Sequence, residues 1–292
     1  MRLEVAGAEA GVRLEQLIAA RLSRKLERAL PRSAARRLVM AGAVRRGGLP
    51  LRRPGLPVEA GWVLEVLVDH ARLDSRRPDR DFALGPSDIL YQDAALLAVA
   101  KPAGVPTVPT ADASRPSLVR AVQAWLVARG ERPYLAVHQR LDRETSGVVL
   151  FARAPRANAA LAAAFAQRRV EKTYIALTAR PAQRPEDRFR MASPIEGRAA
   201  VTDVAVVRRL RAGLLVEARP RTGRKHQVRI HLARAGLAIL GDERHGGEYG
   251  SRAARLMLHA QRLELDHPIN AARLSLDCPA PEDFRAALAA LS

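Results

Sequence analysis

The run Arg140-Leu-Asp-Arg-Glu-Thr-Ser-Gly147 sets one carboxylate, Asp142, between two arginines at a turn that opens onto the apolar segment Gly147-Val-Val-Leu-Phe-Ala-Arg153. Nearby positive charge favours the charged form of an acid, and an ionised carboxylate just outside a sheet can act as nucleophile or base. The plainer alternative is a turn acid in a surface ion pair of little energetic weight. Three further segments bear on the choice: Lys101-Pro-Ala-Gly104, Glu171-Lys-Thr-Tyr174 and Arg221-Thr-Gly-Arg-Lys-His-Gln-Val-Arg-Ile-His231. Taken singly, Lys101 reads as a surface lysine, Tyr174 as a half-buried strand aromatic and Arg229 as a solvated helix arginine. His226, His231 and His259 lack the paired spacing of metal ligands and read as hydrogen-bonded structural histidines. Thr145 and Ser146 read as partners for turn backbone.

The elements that must carry these residues are legible from periodicity. Ile89 to Ala100 is a pair of short apolar runs around a polar turn, closed by Pro102 and Gly104. Pro116 to Leu126 and Arg156 to Arg169 have helical spacing, and Val170 to Leu177 alternates as a strand. Gly213 to Ala218 and Leu256 to Leu265 are further strands, Lys225 to Ala235 a helix closed by Gly236, and Pro281-Glu-Asp283 opens a last helix. Strands outnumber clean βαβ alternations, so the expected class is α+β, a mixed sheet flanked by helices.

A polar, aperiodic stretch over residues 71–86 divides the chain into a first unit, residues 1–70, and a second, 87–292. In the first, Leu14, Leu17, Ile18 and Leu22 mark one helix, and a second is expected from Ser33 as N-cap to Gly42. A Gly47-Gly48 turn and a strand over Trp62 to Val68 follow. Arg32, Arg36, Arg37, Arg45 and Arg46 cluster around the join, as a phosphate-facing surface would or as a merely solvated face would.

Net charge is +19 over 292 residues, with pI near 11.4, which favours a polyanionic partner, most simply nucleic acid. One cysteine, Cys278, excludes an intramolecular disulfide framework. Met1-Arg-Leu-Glu-Val lacks a signal-peptide layout and no run is long and apolar enough for a bilayer, so no membrane association and a cytoplasmic location are expected. With no apolar stripe left uncommitted, the expectation is a monomer.

Together and in this order, the four segments resemble the RluA family of pseudouridine synthases, and Leu258-His-Ala260 continues the likeness. The first unit, through Ser33 to Val44, resembles the S4-type RNA-binding module, an α/β domain that docks on structured RNA. The resemblance implies an isomerase that detaches uracil from ribose C1′ and rejoins it through C5 without cofactor or metal, on a structured RNA, ribosomal or else transfer. Asp142 takes the family's catalytic position, by covalent addition or by assisting loss of a C2′ proton. Arg229 takes the place of its guanidinium partner, and Tyr174 that of the tyrosine beneath the target base, a candidate for moving the C5 proton. Arg140, Arg143, Arg224, Lys225 and Lys101, with Arg36 and Arg37, are the expected RNA contacts. A glycosidase would need a second carboxylate, and Glu144, the near candidate, is expected to face solvent.

Three positions depart from the family pattern. Gln139 stands where a histidine is usual, displacing His138 by one; Ala100 replaces an asparagine, and His245 replaces the tyrosine of the Gly241-to-Gly246 segment. The competing readings are a non-catalytic RNA-binding or ribosome-assembly protein on the same surfaces and, from charge alone, a DNA-binding regulator.

Overall fold

Short apolar stretches punctuated by glycine become a small α/β unit in the computed structural model, which describes residues 2–27, 29–30, 32–40, 43–51, 53–67, 82–109, 116–246 and 253–292. Contacts divide the chain into Met1–Pro78 and Asp79–Ser292; most of the expected linker, 71–81, and the expected helix stop at Gly42 lie outside the described residues. In the first unit, β1 (Arg2–Glu4) precedes α1 (Leu14–Lys25), which buries Leu14, Leu17, Ile18 and Leu22 as their spacing requires. Helix α2 (Arg32–Met40) adds Ala34, Ala35 and Val39 to that core, and it opens at Arg32 rather than after Ser33. Strands β2 (Val44–Arg46) and β3 (Leu49–Pro50) form a hairpin through Gly47 and Gly48, whose φ values of 56° and 78° suit a two-residue turn of that twist. With β4 (Val63–Val66) they make an antiparallel sheet ordered β1-β4-β2-β3.

The second unit is built on a ten-stranded sheet. Its first strands are β5 (Ile89–Gln92) and β6 (Leu96–Lys101), followed by α3 (Leu118–Ala128), β7 (Ala136–Val137), β8 (Ser146–Ala152) and α4 (Pro155–Ala166). Then come β9 (Glu171–Ala179), β10 (Arg188–Met191), β11 (Thr202–Arg209), β12 (Gly213–Pro220), α5 (Gln227–Arg234), β13 (Leu258–Asp266), β14 (Arg273–Asp277) and α6 (Glu282–Leu291). The order is β10-β11-β12-β9-β13-β8-β6-β5, with β14 beside β13 and β7 beside β8. Among the described residues β13 and β8 form the one parallel pair, so the sheet is mixed and largely antiparallel, the α+β arrangement expected.

Central strands are covered on both sides. On β6, Leu96 and Ala98 join the layer under α4 while Leu97 and Val99 join the layer under α3, the two-residue alternation of a strand buried on both faces. Continuous burial of β8 explains why Gly147 to Ala152 reads as an unbroken apolar run. Helix α5 starts at Gln227, two residues later than its periodicity suggests, because His226 takes a left-handed conformation (φ 54°) that ends the preceding loop.

Candidate active site

One row of backbone register crosses the middle of the sheet. Tyr174 of β9 pairs with Ala260 of β13, Ala260 with Gly147 of β8, and Gly147 with Lys101 of β6. Three of the sequence motifs therefore meet on neighbouring strands. Gly147 is required there: its φ is 127°, and a Cβ would lie 2.3 Å from the Ala260 carbonyl oxygen. Ser146 Oγ and His259 Nδ1 lock the same parallel join at 2.9 Å, and His259 Nε2 donates to the Cys278 carbonyl. Ser146 thus bonds a histidine rather than turn backbone, and among the described residues the buried Thr145 hydroxyl has no hydrogen-bond partner.

Asp142 sits in the loop between β7 and β8, and that loop is strapped to the one following β6. The Lys101 ammonium donates to the carbonyls of Pro102 (2.9 Å), Val105 (2.7 Å) and Arg143 (3.0 Å). Gly104 N–H donates to the same Arg143 carbonyl, and Thr107 Oγ1 bonds both N–H and C=O of Leu141. Lys101 was expected to touch RNA, but at 1 % exposure with three acceptors it instead holds two loops together. Burial pulls its pKa down to about 7 against the opposing charges of Glu144 and Asp142.

Arg229 reaches Asp142 from α5, as the resemblance implied: its Nη1 donates to Asp142 Oδ2 at 2.7 Å. Its other edge is held by Asp242, through Nε to Oδ2 (2.8 Å) and Nη2 to Oδ1 (2.6 Å). Asp242 is the site residue that sequence reasoning missed. Burial alone would raise its pKa, yet the Arg229 hydrogen bonds and charge, with the backbone N–H of His245, hold it below the usual range. Gly241 makes this fit possible, since a Cβ there would overlap the Arg255 carbonyl. The result is a buried acid fixing an arginine that fixes a second, more exposed acid.

The second oxygen of Asp142, Oδ1, lies 3.6 Å from His226 Nε2. His226 Nδ1 is in turn 3.0 Å from His245 Nε2, the residue that replaces the family tyrosine. Burial drives His226 down to about 4, Asp142 opposing and Arg229, Arg244 and His245 reinforcing the fall, so the ring is neutral at neutral pH. His231 and His259 keep the structural roles expected, the former bonding Thr202 Oγ1 and the Ser193 carbonyl. Tyr174 is half-buried beside the site; burial and then the Asp142 charge raise its hydroxyl pKa, keeping it a phenol.

The remaining expected residues separate. Arg140 and Lys225 are exposed, and Arg224 is partly exposed with its Nε on the Ala199 carbonyl. Arg143 pairs with Glu144 at 2.8 Å; that acid, expected to face solvent, has a side chain only 26 % exposed. Gln139, in the usual histidine slot, is buried and donates to the Val148 carbonyl, while His138 turns to Asn158 at 2.7 Å. In the first unit Arg36 is exposed near Glu15 (3.4 Å) and Arg46 stacks over Trp62, 4.1 Å from its centroid. The side chain of Arg37 lies outside the described residues.

Comparison with known proteins identifies the family. Residues 95–234 match the model of the RNA pseudouridylate synthase family. Ribosomal large subunit pseudouridine synthase D of Xylella fastidiosa is 35 % identical over 279 residues, covering 87 % of this chain and 82 % of that protein. The protein of the same name from Xanthomonas campestris is 34 % identical over 230 residues, 70 % of each. Among solved structures, human RNA pseudouridylate synthase domain containing 4 aligns with a TM-score of 0.58 at 25 % identity, over 70 % of this chain and 93 % of that one. Fold and matches define an RNA-modifying isomerase. The chain belongs to the RNA pseudouridylate synthase family, in its RluA branch.

Proposed function

We propose that this protein converts specific uridines of ribosomal RNA to pseudouridine, with Asp142 as the catalytic group. The observation that carries the reading is the Asp242–Arg229–Asp142 chain, which fixes Oδ2 of Asp142, while Oδ1 lies 3.6 Å from His226 Nε2. Preorganising a carboxylate in this way spares it reorganisation during reaction. The N1–C1′ bond breaks, the uracil turns, C5–C1′ forms, and the proton lost from C5 is balanced by one gained at N1. Asp142 Oδ1 starts either route, adding to the substrate or taking the C2′ proton. Tyr174, held as a phenol, supplies a stacking surface and accepts the C5 proton only by passing its own onward.

A uridine must leave its stack to reach this site, at a cost of a few kcal/mol. Exposed Arg140 and Lys225 suit the phosphates of the flipped strand. The first unit, with two helices, a short antiparallel sheet and exposed arginines, supports an S4-type role in docking RNA. Among the described residues no helix is long and apolar enough to cross a membrane; a monomer working in the cytoplasm completes the reading.

The test is tritium release from large-subunit ribosomal RNA transcribed with C5-tritiated uridine. Wild type is expected to release tritium, and Asp142→Asn to fall to background while binding RNA as before. Substantial turnover by Asp142→Asn would sink the assignment. Absence of release by wild type from ribosomal and transfer RNA alike would favour a non-catalytic binder.

A further inference from the structure

A cavity of about 720 Å³ opens beside the active site, between α4, the start of β9 and the loop after β12. Its size falls within the range of small-molecule and nucleotide pockets. Neither Asp142 nor Tyr174 lines it, but His138, four residues before Asp142, and Lys172, two before Tyr174 on the same strand, both do. It therefore draws on the segments that carry Asp142 and Tyr174 without including either residue.

The lining is cationic and unevenly satisfied. Arg219 pairs with Glu217 and Arg221 with Asp203, each at 2.8 Å, and Arg224 is tethered to a carbonyl. Glu171, the one acid in the wall, is neutralised by Arg273 at 2.8 Å. Lys172 differs from all of these. Its Nζ lies 5.3 Å from the Phe165 ring centroid, and among the described residues no carbonyl or carboxylate accepts from it. Burial lowers its pKa, which is the cost of holding an ammonium where the protein supplies no acceptor. Facing an open cavity, such a group is available to an anion, and the adjoining Phe165 and Pro220 offer apolar surface for a ring.

We propose that this cavity holds the nucleotide adjoining the target uridine, its phosphate on Lys172 and its base or ribose against Phe165. The identity of the strand rests on the isomerase reading above; the binding itself does not. One pocket for the reacting base and another for its neighbour would let the enzyme select a uridine by local sequence or by the backbone path around it.

The full chain is tested with C5-tritiated large-subunit ribosomal RNA, by steady-state tritium release and by filter binding across a salt series. Phe165→Ala is expected to raise KM about 5- to 160-fold with kcat kept, as loss of one stacked base does. Lys172→Gln should raise KM similarly and lower the slope of log affinity against log salt by about 0.7, one single-strand phosphate contact, whereas Lys172→Arg retains both values. Should Lys172→Gln fail to fold, Phe165→Ala reads the same cavity without altering the lysine. Wild-type KM and salt slope in both Phe165→Ala and Lys172→Gln would overturn the proposal. If wild type releases no tritium but both variants still weaken RNA binding, the isomerase reading falls and the cavity stands as an RNA site. If neither turnover nor a binding difference is seen, both fall.

Discussion

Lys101 anchors the Asp142 loop and Lys172 lines the cavity beside β9, and burial lowers the pKa of each, yet their surroundings are opposite. The Lys101 ammonium has three carbonyl acceptors within 3.0 Å and ties the loop after β6 to the Asp142 loop. Lys172 faces a cavity with an aromatic ring for company and no acceptor among the described residues. Burial alone does not distinguish a structural cation from a binding one. The difference lies in whether the protein has already supplied the acceptors, because a satisfied ammonium is part of the fold and an unsatisfied one is stabilised by a ligand.

The largest expected effect follows from breaking the satisfied case. Lys101→Met leaves the Pro102 and Val105 carbonyls without their lysine donor, while Arg143 keeps its bond from Gly104. Each orphaned carbonyl costs about 1–3 kcal/mol, so urea denaturation should show a clear loss of stability, accompanied by a fall in kcat as the Asp142 loop loosens. Stability within about 0.5 kcal/mol of wild type, as at an ordinary surface site, would remove Lys101 from its structural role. Lys172→Met should behave in the opposite way. Removing an ammonium that lacks an acceptor leaves stability unchanged or slightly higher, and the loss appears in RNA affinity instead. A destabilisation matching that of Lys101→Met would erase the distinction.

Sequence carried the frame of the site further than its detail. Continuous apolar runs and helical spacing located β8, β9, α4 and α5 within a few residues, since each buries a face whose periodicity survives in the sequence. The motifs carrying Asp142, Arg229 and Tyr174 were legible for the same reason, as each sits at an end of one of those elements or within it. Strands β10, β11 and β14 were not read, being edge or near-edge strands rich in exposed arginine and aspartate. Asp242 was missed although its neighbours Gly241 and Gly246 were noted; the signal was Arg229 itself, a helix arginine with five donors and only one expected acceptor. Lys101 was placed on the RNA surface because charge is visible in a sequence and burial is not. The cavity joins residues 138, 165, 172 and 219–224, which only the sheet register brings together.

The smallest expected effect separates the lysines by pH. An amine whose pKa is lowered is charged below that value and loses its charge as pH rises through it, earlier than an ordinary lysine near 10.5. RNA affinity gained through Lys172 should therefore decline at a lower pH than that at which an ordinary lysine loses its charge, while Lys172→Arg, charged throughout, does not share that part of the decline. The ratio of wild-type to Lys172→Arg affinity removes changes common to both, including those in the RNA and those from Lys101, which touches no cavity wall. A bound phosphate favours the charged ammonium and pushes its pKa back up, so the ratio should fall only modestly. A ratio that stays constant until ordinary lysines titrate would mean that Lys172 behaves like a solvated lysine, and its contrast with Lys101 would then rest on hydrogen bonding alone.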